Sequence, residues 1–128
     1  MMREAQPIPF LERGFRPFFL GASLFAGIAI PVWALMLSQG WAPPGYLQAQ
    51  QWHVHEMIFG FVPAVIAGFL LTAIPNWTGR PPVAGGLLLA LFAIWIAGRL
   101  AMAFLGSAPL VSAGIAAAFP ICLTRIIA

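Results

Sequence analysis

Three observations predict an all-α fold, a polytopic bundle of about four transmembrane helices. The chain is 62% hydrophobic and 7% charged, where a soluble domain carries roughly a quarter charged residues. It has no lysine and no aspartate, so it lacks the side chains that clothe a water-facing surface. Its apolar residues fall into four runs, each close to the ~20 residues with which a helix crosses a bilayer core. The mean hydropathy of +0.95 agrees.

The first run extends from Phe18 to Leu37, behind Arg3, Arg13 and Arg16. It is longer than the ~7–15-residue apolar core of a signal peptide and no small-residue cleavage site follows it, so a retained helix is expected. The second runs from His55 to Ile74, the third from Gly85 to Leu105 and the fourth from Ala108 to Ala128. Helix breakers separate them: Ala42-Pro43-Pro44-Gly45, then Asn76-Trp77-Thr78-Gly79-Arg80-Pro81-Pro82, then Gly106-Ser107 before Pro109. Asn76 and Thr78 are read as capping and turning the chain as it leaves the second helix. Pro31, Pro63 and Pro120 lie inside the runs, where membrane helices tolerate proline with a kink. Residues 1–128 thus form a single membrane domain. The ending Ile126-Ile127-Ala128 lacks the polar flank that closes a last membrane helix, which predicts the N-terminal part of a longer protein.

Six arginines against three glutamates give a formal charge of +3. The arginines form no cluster suited to phosphates, so the high isoelectric point does not point to nucleic acid. They mark topology instead. Arg3, Arg13 and Arg16 precede the first helix, Arg80 lies between the second and third, and Arg125 lies near the end of the fourth, whereas the stretches 38–52 and around Ser107 carry no basic residue. This alternation predicts a cytoplasmic N-terminus and a multi-pass membrane protein. Trp41, Tyr46 and Trp52 on the outer side and Trp77 on the inner suit interfacial aromatic belts. Asn76-Trp77-Thr78 matches a glycosylation sequon but falls on the cytoplasmic side, where it is not modified. Cys122 stands alone in an apolar run, which excludes a disulfide framework and a cysteine-based metal site. Phosphate-binding glycine loops, zinc-protease signatures and nucleophile triads are absent.

The chemistry concentrates at His53-Val54-His55-Glu56, which holds both histidines of the chain. Groups of this kind are costly near hydrocarbon and call for a partner, a water-filled cavity or a metal. If the second helix already starts at His53, then Glu56, Gly60, Ala64, Ala67 and Leu71 share one face. Gly60, Ala64 and Gly68 on it form a small-xxx-small series, which packs a neighbouring helix or admits a flat cofactor. His55 then points the other way, toward Phe59, Val62, Ile66 and Phe69. If the segment is extended, His53 and His55 project to one side and can bind one metal together. Both arrangements stay open in the sequence, as do hydrogen bonding of the imidazoles at the interface and proton handling by Glu56.

Arg99 is the second singular residue. It lies about 10 Å below the non-cytoplasmic surface, counting ~1.5 Å per residue, at a depth where an arginine costs ~2.5–3.5 kcal/mol. Three readings follow: an ion pair with Glu56, a hold on an acidic cofactor group such as a haem propionate, or a side chain that snorkels to the interface.

Four stretches together resemble one family. Arg13-Gly14-Phe15-Arg16-Pro17-Phe18-Phe19, Trp52-His53-Val54-His55-Glu56-Met57-Ile58-Phe59-Gly60, the run from Ala67 through Ile74-Pro75-Asn76-Trp77-Thr78-Gly79-Arg80-Pro81-Pro82, and Ala97-Gly98-Arg99-Leu100-Ala101 are similar, in this order, to the NnrS family of bacterial inner-membrane proteins. The resemblance covers Arg13 to Ala103. It implies a polytopic protein of roughly twelve bilayer-spanning helices, binding haem and copper and associated with denitrification and the response to nitric oxide. On that footing His53 and His55 are the metal-ligand candidates, Arg99 a cofactor-binding candidate, and Glu56 a partner that orients an imidazole. The other reading is a non-catalytic or transporter-like membrane module with no bound metal.

Overall fold

Apolar runs in a bilayer must satisfy their backbone internally, and here every such run is helical. The computed structural model describes residues 6–43 and 45–128, so Arg3 of the predicted topology signal and Pro44 of the first loop lie outside it. A short 3₁₀ turn, Pro9–Leu11, leads into α1, Phe15–Gln39. Then come α2, Ala49–Thr78, α3, Gly85–Phe104, and α4, Pro109–Ile127, with no strand among the described residues. All four helices are long and apolar enough to cross a membrane.

The first two helices extend beyond the runs read from the sequence at both ends, whereas the last two match theirs to within one residue. Helix α1 begins three residues before Phe18 and runs to Gln39, where Gly40 takes a left-handed φ of 71° and donates its N–H to Met36. Helix α2 begins at Ala49 rather than His55, because Gln48 and Gln51 cap each other's backbone N–H groups at its start. Its far end continues through Asn76 to Thr78, so these residues form the last helical turn rather than a loop. Gly79, at φ 70°, closes it. Hydropathy registers the embedded part of a helix and misses polar turns that stand outside.

Within α2 the hydrogen bonding widens to a π turn at Met57–Phe61, where Val62 N–H reaches back five residues to the Met57 carbonyl. Pro63 is the cause available in the sequence: lacking an N–H, it cannot bond the Phe59 carbonyl four residues earlier, and its ring crowds that turn. Helices α1 and α4 continue through Pro31 and Pro120.

The helices run alternately up and down, with α2 against α1 and α3 against α4. The main core gathers Phe18, Ala64, Ala67, Leu71, Leu88, Leu91, Trp95 and Phe119. Phe18 stands 5.5 Å from both Phe92 and Phe119, ring centre to ring centre. The small-residue stripe of α2 is filled by this packing: Ala64 and Ala67 are fully buried, and the Phe19 ring lies over Gly68. A smaller core of Ala29, Met36 and Trp52 closes the other end. Trp52 therefore belongs to the interior, at 8% exposure, and not to the aromatic belt. Trp41, Tyr46 and Trp77 are exposed as expected. Arg13, Arg16, Arg80 and Arg125 all fall at the opposite end of the bundle from His53 and His55.

Candidate functional site

Helical backbone from Ala49 onward decides the geometry of the histidine segment. Residues two apart on a helix do not face each other, and the two imidazoles diverge. His53 turns toward α1 and stacks on Trp33, with ring centres 3.9 Å apart and planes 12° from parallel. His55 lies on the outer face, stacked on Phe59 at 4.8 Å. It lines a shallow groove with Gln50, Gln51, Val54, Ile58 and Phe59. The extended arrangement, with both rings on one side, is not the one adopted. Among the described residues no three His, Cys, Asp or Glu side chains converge as a metal-binding set.

Glu56 faces inward, on the same stripe as Gly60, Ala64, Ala67 and Leu71, all of them buried. Its exposure is 1%, so both oxygens depend on protein partners. Oε1 lies 3.2 Å from His55 Nδ1, and Oε2 lies 3.4 Å from Arg99 Nη1. Of the three readings of Arg99, the ion pair with Glu56 is the one present. Arg99 turns inward rather than snorkelling: it is 8% exposed, and its guanidinium stands 6.0 Å from the Phe25 ring centre. Its Nε and Nη1 have no hydrogen-bond acceptor.

Gly60 is where Arg99 crosses α2. A Cβ there would overlap Nη1, so only glycine lets the guanidinium lie against this turn. The Gly60 carbonyl accepts a 2.9 Å hydrogen bond from Trp95 Nε1. Trp95 and Arg99 are four residues apart on α3, as Glu56 and Gly60 are on α2. Two rungs, Trp95 to Gly60 and Arg99 to Glu56, therefore set the register of the two helices across the π turn.

Sequence reasoning singled out His53, His55, Glu56 and Arg99; the structure joins the last three and places His53 apart. It missed Trp33, Phe59 and Trp95. Phe59 was visible as a residue four positions after His55, but as part of a face and not as a stacking partner. Trp33 and Trp95 lie on other helices, and no local spacing points to them. At the Trp33–His53 stack, Trp33 Nε1 and His53 Nδ1 are both buried without a hydrogen-bond partner.

Comparison with known proteins adds one finding. The family model described as NnrS protein matches residues 9–128, and the chain belongs to that family. No curated protein and no solved structure matches it.

Proposed function

We propose that this member of the NnrS family is a haem- and copper-binding protein of the bacterial inner membrane, acting in the nitric oxide response or denitrification. Its metal is held near the periplasmic face by His55, His53 or both. The observation that carries this reading is the pairing of His55 with Glu56. A metal-binding imidazole ordinarily has its other ring nitrogen held by a carboxylate, which fixes the ring and raises its basicity. Here a buried carboxylate engages Nδ1, and the ring borders an open apolar groove. That donor set would suit a haem held through one imidazole, for which three converging side chains are not needed. Haem iron, when bound, supplies a coordination position for a diatomic ligand such as nitric oxide. The residues present supply orientation through Glu56, an aromatic wall in Phe59, and a cation in Arg99. The Nε of Arg99 is buried without a partner, a donor that an acidic cofactor group would satisfy.

A metal-free membrane module is the second reading, and at His53 a specific observation favours it. A ring stacked this closely on Trp33 is what a structural histidine shows. Absorbance and metal analysis of the protein purified in detergent separate the two. We expect a Soret band and bound copper, with the Soret band lost in His55→Ala. Colourless, copper-free protein would overturn the metal reading.

A further inference from the structure

The buried pair fixes more than helix register. Arginine stays protonated under any condition a folded protein meets, so at 8% exposure Arg99 brings a permanent positive charge into an apolar interior. Such a charge demands an anion, and Glu56 is the carboxyl facing it. An ionised carboxylate only accepts hydrogen bonds. Its other oxygen stands 3.2 Å from His55 Nδ1, and a hydrogen there has to come from the ring.

We propose that Arg99 is a positioning residue that, acting through Glu56, sets the tautomer of His55, placing the ring hydrogen on Nδ1 and leaving the Nε2 lone pair free to bind. A neutral imidazole carries one N–H, so assigning it to Nδ1 makes Nε2 the acceptor. A metal, or a donor group on a ligand, binds through that lone pair. The arrangement depends on Gly60, because any side chain at that crossing point would displace Nη1. It depends also on Trp95, whose bond to the Gly60 carbonyl holds α3 one turn away in matching register. With Arg99 gone, no cation holds the carboxylate in place beside Nδ1, and the tautomer is no longer chosen.

The purpose of this device rests on reading His55 as a ligand, but the tautomer itself is read in metal-free protein, so the two can fail separately. The chain has two histidines, so a protein labelled with ¹⁵N in its imidazoles gives two ring systems by NMR in micelles, assigned with His53→Gln. At mildly alkaline pH we expect His55 with its hydrogen on Nδ1. In Arg99→Met and in Glu56→Gln that form ceases to be the major species, while the His53 signals stay in place. Arg99→Lys, which keeps the charge, retains it. A structural role alone would leave the His55 tautomer untouched in folded Arg99→Met. Should Arg99→Met fail to fold, Arg99→Gln, which removes the charge and keeps a polar head beside Glu56, replaces it with the same expectation. A His55 hydrogen on Nε2 in the unaltered chain, or an Nδ1–H form unchanged in a folded variant, overturns the proposal.

Discussion

Glu12 and Arg16 pair at the arginine-rich end of the bundle, and Glu56 and Arg99 pair near the other. The first contact is the shorter, 2.8 Å against 3.4 Å. Its side chains are about 40% exposed, whereas those of the second are 8% and 1% exposed. Distance alone would rank the exposed pair as stronger. Environment reverses the order, because a charge that can reach water loses little when its partner goes, and a charge that cannot is stranded. The two pairs also differ in what they connect. Glu12 and Arg16 are one turn apart along the chain, and Arg16 also bonds the Pro9 carbonyl beside it. Glu56 and Arg99 join α2 to α3. An ion pair within one turn secures local geometry, and one between helices specifies register.

Arg99→Met gives the test of widest consequence. Leaving Glu56 buried without its cation is expected to cost about 3–5 kcal/mol, read as the shift in an unfolding transition in mixed micelles. Glu56→Gln/Arg99→Met should recover a large part of that, since it strands no charge. A loss under about 1 kcal/mol in the single variant would place the inner pair in the same class as the outer one. Next comes Gly60→Ala, where the added methyl must displace the buried guanidinium of Arg99. An overpacking cost of about 1–3 kcal/mol is expected. Gly27→Ala is the control: its Cβ meets nothing within 4 Å, and replacing a helical glycine there should stabilise by up to about 1 kcal/mol. Equal effects at the two glycines would show that the Arg99 crossing carries no constraint. Trp95→Phe keeps an aromatic side chain, though a smaller one, and deletes the bond to Gly60, leaving a buried carbonyl short of its donor, for about 1–2 kcal/mol from the lost bond.

These residues also show how far the sequence could be read. Four helices were legible because a membrane imposes one length and one polarity on each crossing. The inward stripe Glu56, Gly60, Ala64, Ala67 and Leu71 was legible because it follows helical spacing, and the depth of Arg99 brought Glu56 within reach. The start of α2 was not, since Gln48 and Gln51 build it from polar residues that hydropathy discards. Nor was the π turn, although Pro63 supplies a reason for one. Trp52 was misplaced because a tryptophan near the interface can face either way, and only its packing on Ala29 and Met36 decides. The divergence of His53 and His55 hinged on that same helix start: six more helical residues turn a potential shared site into two separate positions.

Glu12→Gln is expected to be the mildest change and closes the comparison. It removes the same carboxylate charge as Glu56→Gln, from a contact that is shorter, and leaves Arg16 with the Pro9 carbonyl and access to the interface. The loss should stay below about 1 kcal/mol and shrink further at high salt, because exposed charges are screened within a Debye length of about 8 Å at physiological ionic strength. Glu56→Gln should show little salt dependence, since ions do not reach a side chain that is 1% exposed. Salt therefore separates the pairs without relying on the size of either effect. If both variants responded alike to salt, the inner pair would have to be hydrated, and the acceptor-only carboxylate that orients His55 would lose its physical basis.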